Sequence, residues 1–142
     1  MNHAAVLAVS AGIAIALQVV ANSIGMKVLG LGALIGVSGA VTAVAGFAAA
    51  LFLSRPEASG KALLAAVVSG LLGAFILAAI VLAANSGGLA RTLSLVIGTQ
   101  LAFGIAIDRI GIFGPAAQEF GAAKSLGMAL ILFGGLLLVH EG

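Results

Sequence analysis

The sequence predicts an all-α fold, a polytopic membrane helical bundle with five transmembrane helices, four being the alternative count. Three observations carry that reading. Hydrophobic residues make up 63% of the 142 and charged residues 7%, with a mean hydropathy of +1.34, so too few ions exist to coat a water-soluble globule. Apolar stretches of spanning or near-spanning length are separated by charged or Gly- and Pro-containing breaks. The apolar residues are interleaved with 21 glycines, and small residues let helices approach closely where lipid supplies no hydrophobic force between them.

The whole chain, 1–142, reads as one transmembrane domain. The first helix is expected over 4–26, about 23 residues without a charge against roughly 20 needed to span. A secretory signal would open with basic residues, and here none precedes Lys27. Gln18 and Asn22 lie four apart on one face of this helix, and Gly12 and Ala16 give a small-residue contact. The second helix, 31–54, opens on Gly32, Gly36 and Gly39, with Ser38 and Thr42 one turn apart, and ends at the Arg55–Lys61 loop, where Pro56 cannot continue a helix. The third, 62–84, carries Gly70 and Gly73 and is closed by a reversal over Asn85, Ser86, Gly87 and Gly88.

The fourth helix, 92–107, is short for a span at about 16 uncharged residues, or roughly 24 Å. Arg91 and Arg109 extend its reach by lifting their guanidinium groups to the interface. The fifth, 125–139, is shorter still, flanked by Lys124 and His140, with residues 110–123 forming a loop that partly enters the interface. Five helices place the two termini on opposite sides, and a second copy in tandem would then be inverted, a transporter design. The side holding the N-terminus receives Arg55, Lys61, Arg109 and Lys124, and the other side Lys27 and Arg91. That difference favours a cytoplasmic N-terminus and a single orientation, with dual insertion as the alternative.

Several function classes are excluded or disfavoured by composition. Zero Cys excludes disulfides and thiolate metal sites, and two His at the chain ends leave no His-based metal site. A net charge of +2 makes no nucleic-acid surface. All four acids, Glu57, Asp108, Glu119 and Glu141, fall at or beyond the expected helix ends, so no carboxylate is expected in mid-membrane. With no nucleophile, acid–base pair or metal cluster, neither an enzyme nor a cofactor is expected.

Four stretches resemble a known family. Val96–Gly114, VIGTQLAFGIAIDRIGIFG, and Ser125–Val139, SLGMALILFGGLLLV, resemble the C-terminal half of the YdcZ-like group in the drug/metabolite transporter superfamily. Ile15–Gly30, IALQVVANSIGMKVLG, resembles its first helix, and Ser69–Phe75, SGLLGAF, its third. The family pattern has Gly directly before the Gln, whereas here Thr99 stands between Gly98 and Gln100. The resemblance implies a bacterial inner-membrane protein equal to half of a ten-helix transporter. Its partners would be the lipid bilayer and a homologous half, most simply a second copy in a homodimer, with an antiparallel arrangement expected. Related small multidrug resistance transporters exchange protons through an acid in their first helix. Here that helix offers only Gln18 and Asn22, and amides do not titrate near neutral pH.

Two functions follow. One is a transporter or half-transporter for a small polar or cationic metabolite or drug, working by alternating access in a dimer. The alternative is a non-transporting accessory or assembly subunit, whose polar residues only tie helices together. For the transporter, Gln18, Asn22, Thr99 and Gln100 are the candidate substrate-binding residues, with Gln18, Asn22 and Gln100 expected to face one hydrated cavity near mid-depth. Asp108 and Arg109 are gating or interfacial candidates near one mouth, the plainer reading being an ion pair anchoring a short helix.

Overall fold

The computed structural model describes residues 3–53, 59–111 and 121–140. Among these residues the fold is all-α, with five helices: α1 His3–Leu29, α2 Leu31–Ala50, α3 Gly60–Gly87, α4 Leu89–Ile110 and α5 Ala122–His140. The first four are long and apolar enough to cross a bilayer, whereas the apolar part of α5, Ser125–Leu138, is shorter. The fold is therefore that of a polytopic helical membrane protein. Part of the Arg55–Lys61 loop, most of the loop expected over 110–123, and Glu57, Glu119 and Glu141 lie outside the described residues.

Helix extents differ from those expected, four of the five being longer. The fourth helix, expected over 92–107, has 22 residues and so a length of about 33 Å. It takes in Arg91, Asp108 and Arg109, and its span is not short. The reversal expected over Asn85–Gly88 is also narrower, because α3 continues through Gly87 and only Gly88 leaves the helix. Amides and hydroxyls that end a helix in water need not do so in a membrane, where the i→i−4 ladder is the one way to satisfy the backbone. The second helix goes the other way: it is regular to Ala50, after which Leu51 and Phe52 donate to carbonyls three residues back.

Both α1–α2 and α3–α4 are joined by a single residue. Gly30 lies at φ 77°, ψ 161° and Gly88 at φ 83°, ψ 155°, a backbone region that is essentially closed to residues with a Cβ. The turns leave few orphaned groups. The Gly30 N–H donates to the Met26 carbonyl at 2.9 Å while the Gly30 carbonyl accepts from Leu34 N–H at 3.1 Å. Gly88 does the same, donating to Ala84 at 3.1 Å and accepting from Thr92 N–H at 3.2 Å. The buried Thr92 hydroxyl also donates to the Gly88 carbonyl, at 2.8 Å. Elsewhere, Ser59 opens α3 by accepting the Ala62 N–H on its hydroxyl at 3.2 Å, an N-cap in the usual sense.

The chain divides into two compact units, Met1–Leu82 and Ala83–Gly142. In the first, α1 packs on α2 near the Gly30 turn. A Cβ at Gly25 would stand 2.9 Å from Leu34 Cδ1, and the buried residues Val19, Asn22 and Leu34 lie close to this contact. Away from the turn, Val6–Ile15 and Gly39–Leu53 are exposed throughout. In the second unit, α4 and α5 pack antiparallel along most of their length. Gly98 faces Leu132, Gly135 faces Ser94, and the partly or fully buried stripe Ser94, Gly98, Leu101, Ile105 and Asp108 follows the three- and four-residue spacing of one helix face.

Two outcomes follow. Gly30→Ala or Gly88→Ala should cost about 1–3 kcal/mol, the usual cost of forcing such a backbone, read as a lower thermal midpoint in detergent. Gly12→Ala, in a helix with open space around it, should be neutral or slightly stabilising in the same assay. Gly98→Val should overpack the α4–α5 contact by about 1–3 kcal/mol, and Leu132→Ala added to it should recover part of the loss. If the double variant is no more stable than the single, these two residues do not meet.

Candidate functional site

The six candidate residues fall into two groups. Gln18 and Asn22 lie on α1 in the first unit, and Thr99, Gln100, Asp108 and Arg109 on α4 in the second. Each group is set by its own helix and turn.

On α1 the two amides, although on neighbouring turns, have different surroundings. Asn22 precedes Gly25 by three residues and so shares its α2-facing side; it is 9% exposed. Gln18 is exposed. It sits one turn farther from Gly30, beside Val19, which is only 4% exposed, so Gln18 lies off the covered face of α1. Twelve residues separate Gln18 from Gly30, which places it about 18 Å from the turn at 1.5 Å per residue. That is near the middle of a hydrocarbon core of about 30 Å.

On α4 the stripe that meets α5 is made by Ser94, Gly98 and the residues in phase with them, which turns Thr99 and Gln100 to the other side. Both are exposed, beside Phe103 and Ile107 on the same apolar face. Gln100 is twelve residues from Gly88, again about 18 Å from its turn. The Thr99 hydroxyl donates to the Leu95 carbonyl at 2.8 Å, so its proton is occupied and only its oxygen remains to accept. No side-chain hydrogen bond of Gln18 or Gln100 is found among the described residues. An amide at this depth in lipid requires a partner.

Asp108 is half-buried and Arg109 exposed. As consecutive helix residues they do not face each other, and Asp108 alone belongs to the α5-facing stripe. The helix closes just beyond them on Gly111, whose N–H reaches the Asp108 carbonyl at 3.0 Å. One exposed, largely apolar face of α3 is formed by Lys61, Leu64, Ala65, Val68, Ser69 and Leu72. It contains none of the six candidates.

Ser38 joins the candidates only once the structure is known. It is half-buried on α2, eight residues after Gly30 as Asn22 is eight before, so the two share a depth of about 12 Å. Equal spacing from the turn is the signal, visible only once the turn is known to be one residue.

Compared with known proteins, residues 3–137 match a family model described as "Putative inner membrane exporter, YdcZ", which belongs to the drug/metabolite transporter superfamily. No curated protein and no solved structure matches the chain.

Proposed function

This chain belongs to the YdcZ family of the drug/metabolite transporter superfamily, and from that premise we propose that it is a half-transporter that works as a homodimer by alternating access. An integral membrane transporter, rather than an enzyme, is the function its family supports. The solute is a small polar or cationic metabolite or drug. Gln18, Asn22, Thr99 and Gln100 bind it, and Asp108 and Arg109 act near a mouth of the path.

One observation carries this reading: Gln18 and Gln100 stand exposed at mid-depth on apolar helices, without a side-chain partner among the described residues. Lipid cannot satisfy an amide, so water, solute or a second chain must. The same helices leave most of their large apolar side chains exposed, which a second copy would cover. An antiparallel pair suits an odd number of helices, because it turns two identical halves into the inverted halves of a ten-helix transporter.

Cross-linking in native membranes, with orientation reported at both ends of the chain, should give a two-chain species; a monomer that transports would remove the dimer, and a parallel pair only its antiparallel form. For the site, a thermal-shift screen of purified protein against neutral and cationic metabolites should find a stabilising solute, by about 2.7 kcal/mol at a hundred times its Kd. Gln18→Ala and Gln100→Ala should abolish flux of that solute into proteoliposomes while the thermal midpoint hardly moves. Unchanged flux in both would sink the assignment. A stability loss of about 0.6–2 kcal/mol without a flux defect would make the amides helix-to-helix ties.

A further inference from the structure

The α1–α2 hairpin is joined at one end and open at the other. The Gly25–Leu34 approach fixes its register, and from it Asn22 on α1 is paired in depth with Ser38 on α2. One turn farther out, Gln18 and Thr42 are both twelve residues from Gly30 and so about 18 Å from the turn. Two polar rungs therefore cross the hairpin, beginning where burial of α2 ends.

The lower rung is enclosed and chemically unsatisfied. Asn22 is nine-tenths buried, yet no hydrogen bond of its amide is found among the described residues. Nor does any buried side-chain polar atom among them lie sealed without a partner, so the amide still opens onto space. Ser38 behaves alike. The hydroxyls of Ser10, Thr42, Thr92, Ser94 and Thr99 donate to the carbonyl four residues back, but no such bond is found for Ser38. The rungs thus hold free donors, on Asn22 and Ser38, beside free acceptors on Asn22, Ser38 and the Thr42 oxygen.

All four rung side chains are uncharged. The nearest formal charge on the hairpin is Lys27, exposed and five residues from Asn22 toward the turn. A cation entering the rungs would lose its hydration with no carboxylate to replace it, and would feel a positive charge as well. A neutral molecule carrying hydroxyl or amide groups would lose less and could bond to both kinds of group.

We propose that the α1–α2 cleft is a binding site for small uncharged solutes bearing hydroxyl or amide groups, with Asn22 on one wall and Ser38 on the other, and Gln18 and Thr42 at its mouth. The proposal rests on the transporter reading and narrows it: the solute is neutral rather than cationic, and α2 adds contacts to those already assigned.

The chain has no Cys, so a single Ser38→Cys variant reports on the cleft without background. The cysteine thiolate attacks the sulfenyl sulfur of a thiosulfonate reagent, forming a disulfide and expelling sulfinate, and that thiolate forms only where water reaches the sulfur. In full-length protein in liposomes, the neutral hydroxyethyl thiosulfonate should modify Ser38→Cys faster than Val37→Cys, whose side chain points out of the hairpin. With His3→Cys as the reference for intrinsic reactivity, the trimethylammonium reagent should be about a hundredfold slower at Ser38→Cys, the factor expected from the cost of a charge at mid-membrane. Glycerol or acetamide should slow the neutral reaction, and Asn22→Ala should remove that protection.

Equal rates for the two reagents would overturn the neutral class. No reaction at Ser38→Cys, with His3→Cys labelled normally, would mean a dry contact and end the cleft. Gln18→Cys, at the mouth, repeats the comparison if Ser38→Cys does not fold. Failure of the transporter reading is seen separately, as absence of any solute flux in the unsubstituted protein.

Discussion

Inside a bilayer no water is available to an unpaired N–H or C=O, and that constraint shapes every element of this chain. Helices satisfy their own interiors, so the difficulty lies at the reversals. Gly30 and Gly88 meet it by turning the chain in one residue while keeping both the donor and the acceptor of that residue bonded to the flanking helices. A longer loop would have to sit outside the hydrocarbon or find partners for each of its groups. The cost is confined to a backbone conformation that only glycine adopts freely. The consequence is register: with one residue between helices, positions equally distant from the turn must lie at equal depth.

That register explains which parts of the site could be read from residues alone. Gln18, Asn22 and Gln100 are conspicuous because they interrupt apolar runs, and their rough depth follows from counting. Their differing surroundings do not follow. Asn22 and Val19 are buried while Gln18, next to Val19, is exposed, so the difference is one of helix face and not of depth. Ser38 passes unnoticed in a sequence where serines and threonines usually bond to their own helix, as Thr99 does to Leu95.

Helix ends were legible only approximately, and the reason is again the solvent. Asn85, Ser86 and Gly87 read as a turn by the chemistry of water-soluble loops, and Arg91, Asp108 and Arg109 read as boundaries because they are charged. In lipid the first three gain nothing by leaving the helix, and the Ser86 hydroxyl can donate to the Ala83 carbonyl at 3.1 Å from within it. Long basic side chains reach the interface from inside a helix. The apolar core of each span was thus visible, while its last turns were not.

The two hairpins that pack here spend their small residues differently. Along α4 and α5, Gly98 and Gly135 let Leu132 and Ser94 come close within one turn, on a stripe partly buried from Ser94 to Asp108 that leaves Thr99 and Gln100 on the outer side. In α1 and α2, Gly25 serves a single approach beside the turn. Gly12, Gly36, Gly39 and Gly46 meet nothing within 4 Å, so the small surfaces of the outer turns remain available. A stripe closed along its length resists separation, because opening it breaks every contact at once. A hairpin held near one end can change its splay by breaking few contacts, and its polar rungs lie where that change is largest. Under the proposed alternating access, the first kind of element would hold its shape and the second would alter the width of the path.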